Sequence, residues 1–187
     1  MMKWCGHRAA AGRVCVLTPS VFDPCVAWNT QRALGWNCRM TNLQAACGVA
    51  QLEVLDETMV RKREIGLLYG RLLEGVPGLK LPPDCDARGE LNSYWVYAVV
   101  LDVALGIEAD TIMRRLGDAK IGTRPFFWPM HEQPVLLAMG HCKGVNCPKA
   151  ETFARLGFYL PSGIALTDVQ IQRVASVLRS VMADVSS

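Results

Sequence analysis

An α+β fold, with helices segregated from a few mostly antiparallel strands, follows from three stretches of this sequence. From Gly35 to Leu73 a polar loop feeds one long helical pattern. Between Ser93 and Asp102, SYWVYAVVLD concentrates aromatic and β-branched residues, the composition of a strand. From Thr167 onward, Ile171, Val174, Leu178 and Val181 recur on one face of a closing helix.

The first helix is predicted to start at Thr41 or Asn42, because Thr41 and Gln44 have capping-box spacing. Leu43, Ala46, Cys47, Ala50 and Val54 continue it, then Ile65, Leu68, Tyr69 and Leu72, until Gly75 and Pro77 end it. Such a helix is roughly 50 Å long and needs cover from something beyond its own loop. Its first half, LQAACGVAQL, is small and apolar almost all round, which suits burial on two sides at a subunit or domain junction. Its middle, ETMVRKRE, reads as a solvated face with a Glu57 to Arg61 pair worth about 0.3 kcal/mol.

GVPGLKLPPD reads as turn, short strand and turn before the strand at Ser93–Asp102. A helix is predicted from about Asp110, with its carboxylate as N-cap, to near Lys120. Ile121 to Phe127 reads as a second strand, Gln133 to Met139 as a short helix, Ala150 to Leu156 as another, and Phe158 to Leu160 as a short strand. Thr167 and Gln170 repeat the capping-box spacing at the start of the last helix, where Asp168 favours the positive end.

The chain has 187 residues, 51% of them hydrophobic and 20% charged, and is long enough for one real core. Its formal charge of +3 is spread without a basic run, so nothing in it asks for a nucleic-acid or membrane partner. Residues 1–33 match no pattern, and VCVLTPSVF is too short and too polar for a transmembrane helix or a secretory leader. Eight cysteines without paired close spacing point to free thiols in a reducing cytoplasm, with Cys47 acting as a small hydrophobe on the helix face. HCKGVNC brings together His141, Cys142 and Cys147, but zinc wants four ligands and no fourth lies nearby, so the segment reads as a loop.

GWNCRMTNLQAACGVAQLE, GTRPFFWPMHEQPV and LGFYLPSGIALTDVQI, in that order, resemble the DegT/DnrJ/EryC1/StrS sugar aminotransferases, particularly their GDP-perosamine synthase-like members. The resemblance runs from about Leu34 to Met182 and implies the C-terminal small domain of a fold-type I enzyme using pyridoxal 5'-phosphate. On this reading residues 34–187 are the small domain, and residues 1–33 are unassigned or a divergent remnant of the large cofactor domain, which does not otherwise precede them. The implied reaction moves an amino group from L-glutamate to a nucleotide-linked 4-keto-6-deoxy sugar. The implied partners are a second copy in a homodimer or the missing large domain. Lys120 stands where family members commonly carry Gly and is expected at a left-handed helix terminus.

Transamination of this kind needs a lysine that forms the internal aldimine and shuttles a proton. The family holds it in a serine-rich turn of the large domain, and none of Lys3, Lys62, Lys80, Lys120, Lys143 and Lys149 lies in such a context, so no catalytic residue is assigned. Asn37 and Arg39 match family positions that reach the partner subunit's cofactor phosphate, a role that suits an amide donor and a guanidinium. Their plain alternative is to pin the loop ahead of the helix. Arg124, Phe126, Trp128 and His131 are the candidate substrate contacts: Arg124 for a pyrophosphate, the aromatic rings for a sugar or base, and His131 as donor to a sugar oxygen. Against that, a Phe-Phe-Trp run is also what a core contains.

Overall fold

The computed structural model describes residues 40–186. Two compact units divide the described residues: 41–126 with 155–186, and 127–154.

The first unit holds the sheet and the long helices. Helix α1 spans Asn42–Glu53 and α2 spans Leu55–Leu73. The single long helix of the sequence reading is thus two, broken at Val54 (φ −111°, ψ 15°). The break falls where the sequence changes from an apolar run to Asp56 and Glu57, acidic residues that favour the first turn of a new helix. The capping box forms as expected: Gln44 N–H donates to Thr41 Oγ1 at 3.3 Å and Thr41 N–H to Gln44 Oε1 at 2.8 Å. No residue of α1 is buried within this chain, and Cys47 is exposed, so any cover for this helix lies outside it.

After α2 come strand β1 (Leu79–Lys80) and strand β2 (Tyr97–Leu101). The second is shorter than the apolar run predicted. Asn92 Oδ1 accepts the Tyr94 N–H at 2.8 Å and Tyr94 takes φ +49°, so the chain is still turning where Ser93 and Tyr94 were expected to pair. Helix α3 spans Ala109–Asp118 with Glu108 at its N-cap. Asp110 is not the cap but a first-turn residue, ion-paired with Arg114. Lys120, at φ +62°, takes the left-handed conformation expected of it.

Strand β3 is only Arg124–Pro125, shorter than the predicted run from Ile121 to Phe127, and lies at the sheet edge, where a proline is tolerated. In the second unit lies the short helix α4 (Pro134–Ala138), and helix α5 begins there and spans Pro148–Leu156. Strand β4 (Gly157–Leu160) and helix α6 (Asp168–Ser186) complete the fold. The four strands lie in the order β1-β2-β4-β3, every pair antiparallel.

Tyr97, Val99 and Leu101 alternate onto the buried side of β2, as the period of a strand requires. Ile65, Tyr69 and Leu73 of α2 are fully buried, and α6, which packs on both α2 and α3, buries Ile171, Val174, Leu178 and Val181. Gly66 is required here, since a Cβ on it would lie 2.2 Å from the Tyr94 ring.

The middle of α2 is not simply solvated. Arg61 leaves Glu57 aside and reaches Glu64 at 2.9 Å, Asp168 at 3.1 Å and the Leu166 carbonyl at 2.6 Å. Lys62 Nζ donates to the Trp95 and Ser162 carbonyls at 2.8 and 2.6 Å, and Arg63 meets Asp84 at 2.9 Å and the Asn92 carbonyl at 2.7 Å. Three consecutive cations therefore tie the connection before β2 and the one after β4 to one helix.

Candidate functional site

The run Thr123–His131 is shared between the two compact units, with Arg124 and Phe126 in the first and Trp128 and His131 in the second. Register places Arg124 opposite Tyr159 and Pro125 opposite Phe158, so β3 holds its short segment through β4. Arg124 is exposed. The Phe126 ring lies against the Tyr159 ring, centroids 4.8 Å apart, and its backbone N–H donates to the Gly157 carbonyl at 3.2 Å. Phe126 is thus half of an aromatic pair at the sheet edge, whereas Phe127 is 62% exposed.

In the second unit Trp128 is half-buried and its carbonyl accepts from Gln133 Nε2 at 3.3 Å. Gln133 is the buried polar residue of the described chain, 3% exposed, and it precedes α4, whose first residue is Pro134. His131 sits in the single turn Met130–Glu132. Its side chain is only 10% exposed, and its Nε2 lies 2.8 Å from Glu151 Oε1. The same carboxylate oxygen accepts the Cys147 N–H at 2.9 Å, so the start of α5 holds the carboxylate that holds the imidazole. Glu151 is not among the residues that the sequence singles out. Twenty positions separate the two residues, and nothing in local spacing joins them.

His131, Glu132 and Glu151 also form the set of three donor groups among the described residues whose ligand atoms lie within 4.8 Å of one another. Two ligands of one tetrahedral zinc, each at about 2.0–2.2 Å from it, lie roughly 3.3–3.6 Å apart. The 2.8 Å between His131 and Glu151 is a hydrogen-bond distance instead. His141 is exposed and the free thiols of Cys142 and Cys147 are half-buried.

Asn37 and Arg39, the two expected cofactor-phosphate contacts, lie outside the described residues. Among the described lysines, Lys62 is held by two carbonyls, with burial pushing its pKa down, and Lys80 is paired with Asp102 at 3.2 Å. Lys120 closes α3, and Lys143 and Lys149 are exposed. These residues do not fit the covalent seat of pyridoxal phosphate, which needs a desolvated amine facing the cofactor beside a carboxylate for the pyridine nitrogen.

The DegT/DnrJ/EryC1/StrS aminotransferase family matches residues 21–179, beginning upstream of Leu34, where the sequence motifs start. GDP-perosamine synthase of Vibrio cholerae is 32% identical over 147 residues, which is 79% of this chain and 39% of that protein. The dTDP-4-dehydro-2,3,6-trideoxy-D-glucose 4-aminotransferase of Saccharopolyspora spinosa is 33% identical over 145 residues, 78% of this chain and 34% of that enzyme. Among solved structures, the aminotransferase TlmJ from Streptoalloteichus hindustanus superposes with a TM-score of 0.67 at 31% identity, covering 84% of this chain and 41% of that one. The chain therefore spans about two fifths of the length of the relatives it matches. With its small antiparallel sheet, its helices and these matches, this chain belongs to the DegT/DnrJ/EryC1/StrS aminotransferase family.

Proposed function

We propose that the chain is the small-domain part of a pyridoxal phosphate-dependent enzyme. That enzyme moves an amino group from L-glutamate to a nucleotide-linked 4-keto-6-deoxy sugar, as a perosamine synthase does, in the cytoplasm and for polysaccharide biosynthesis. The observation that carries the reading is the 32% identity to GDP-perosamine synthase over 79% of the chain.

In this reading the large domain supplies the cofactor's lysine and its pyridine-nitrogen partner, and a homodimer or an assembly with that domain completes the site. Asn37 and Arg39 bind the cofactor phosphate of the partner subunit. Arg124 binds the sugar-nucleotide pyrophosphate, Phe126 and Trp128 offer flat surfaces to sugar or base, and His131 contacts a sugar oxygen. The exposure of Arg124 and the fixed imidazole of His131 suit those roles.

The test supplies the large domain of a perosamine synthase to this chain and follows amino-sugar formation from L-glutamate. GDP-4-keto-6-deoxymannose is the expected acceptor, and dTDP-4-keto-6-deoxyglucose is the control. Use of the dTDP sugar alone would overturn the nucleotide assignment, and turnover by the chain without a large domain would overturn the division of labour.

A second reading, a non-catalytic dimerisation or binding fragment, is favoured by one observation: Leu43, Val49 and Leu52 of α1 are 78, 57 and 66% exposed. Apolar side chains exposed around a helix suit cover by a partner. A chain that dimerises in sedimentation but forms no product with any supplied large domain would fit this reading.

A further inference from the structure

We propose that Glu151 is a positioning residue that sets the orientation and tautomer of His131, so that the imidazole meets a sugar hydroxyl as a hydrogen-bond acceptor through Nδ1. A neutral imidazole carries one proton: one ring nitrogen donates and the other accepts. An ionised carboxylate only accepts, so the 2.8 Å contact between Glu151 Oε1 and His131 Nε2 requires the proton on Nε2. With that nitrogen committed, Nδ1 is the ring's remaining polar atom, and in the neutral ring it is an acceptor. The sequence alone suggested the opposite polarity, with His131 donating to a sugar oxygen.

The carboxylate is itself fixed. Glu151 lies in the first turns of α5, and the Cys147 N–H donates to the same Oε1 at 2.9 Å, so the acceptor is anchored to the backbone at a helix start. The His131 side chain is 10% exposed, which leaves the ring little freedom to swing away from it. A carboxylate behind an imidazole is a general means of choosing which nitrogen faces outward. The ligand class is a hydroxyl-bearing sugar. A hydroxyl can give its proton to an unprotonated Nδ1, which a carbonyl oxygen or an ionised phosphate cannot do.

This inference rests on the sugar-contact reading of His131, and two measurements separate its failure from that reading's failure. The first is the nitrogen-15 NMR of the full chain at a pH where His131 is neutral. The expected spectrum shows His131 with a proton on Nε2. Glu151→Gln, whose amide oxygen can still accept, keeps that tautomer, and Glu151→Ala gives a mixture. A proton on Nδ1 in the wild type, or a Glu151→Ala spectrum unchanged from it, overturns the proposal whatever His131 binds.

The second measurement uses the chain assembled with a supplied large domain. Glu151→Ala is expected to raise KM for the sugar nucleotide about 5- to 10-fold, the size of one misdirected hydrogen bond, with cofactor affinity unchanged. Glu151→Gln should change it less than about 2-fold, a rescue that mere support of α5 does not predict. Equal losses in both variants overturn the positioning role. If His131→Ala also leaves KM unchanged, the sugar-contact reading fails, and the proposed role falls with it while the tautomer result stands.

Discussion

Helices α1 and α2 meet at Val54 and read as one pattern in sequence, yet they hold their places by different means. Within this chain α1 buries no residue; its start is set by the Thr41–Gln44 box, and its apolar side chains are exposed. By contrast, α2 buries Ile65, Tyr69 and Leu73, packs on α6, and fastens neighbouring connections through Arg61, Lys62 and Arg63. Apolar periodicity shows that a face wants cover, but not which molecule supplies it. For α2 the cover is in the chain. For α1 the proposed cover is the rest of the enzyme.

The widest contrast comes from truncating one apolar side chain in each environment. Leu178→Ala, in the fully buried face of α6 against α2, should cost about 2–5 kcal/mol, whereas Leu43→Ala on α1 should change stability by less than about 0.5 kcal/mol. Urea titration of the two variants reads the difference directly. Comparable losses would mean that α1 is covered in solution, and sedimentation of the Leu43 variant would then show by what.

Beneath α2, Tyr69 and Tyr97 lie with ring centroids 4.8 Å apart, and burial pushes both phenol pKa values up. The Tyr69 hydroxyl donates to the Pro161 carbonyl at 2.9 Å, while the buried Tyr97 hydroxyl finds no hydrogen-bond partner among the described residues. Leaving such a group unpaired costs about 1–3 kcal/mol, so Tyr97→Phe should hold stability or raise it by about 1 kcal/mol. A phenol whose folded pKa lies above its unfolded value of about 10 contributes stability that is complete below pH ~10 and is lost as the pH rises past it. Chemical denaturation between about pH 8 and 11 should show a smaller alkaline loss for Tyr97→Phe than for the wild type. The exposed α1 contains no such group.

The smallest effects belong to the caps. Thr41→Ala and Thr167→Ala each remove a hydroxyl that accepts a Gln backbone N–H at 3.3 Å, and each box is worth roughly 1 kcal/mol to its helix. Because α6 is packed and α1 is not, only the second loss should appear in global stability. Hydrogen exchange should find the first confined to faster opening of α1.

Local chemistry explains which parts of this structure were legible in sequence. Both capping boxes form because each depends on residues within one turn, and Lys120 adopts the left-handed conformation that the resemblance implied. The break at Val54 also carried a local signal, the acidic pair Asp56 and Glu57, hidden by an apolar pattern that continues through it. Arg61 could not be placed by helical spacing, since its Leu166 and Asp168 partners arrive from more than a hundred positions away. The candidate site follows the same division. Arg124, Phe126, Trp128 and His131 stood out as residue types, but the packing of Phe126 on Tyr159 and the hold of Glu151 on His131 exist only once the chain has folded.

Borohydride trapping shows whether the cofactor takes its lysine from another domain, as proposed. The chain, alone and assembled with a supplied large domain, is incubated with pyridoxal phosphate, reduced and mapped by peptide mass. About one equivalent of label per site is expected on a lysine of the large domain in the assembly. Only scattered, substoichiometric label is expected on Lys3, Lys62, Lys80, Lys120, Lys143 and Lys149 of this chain. A full equivalent on any one of those six lysines would contradict that proposal.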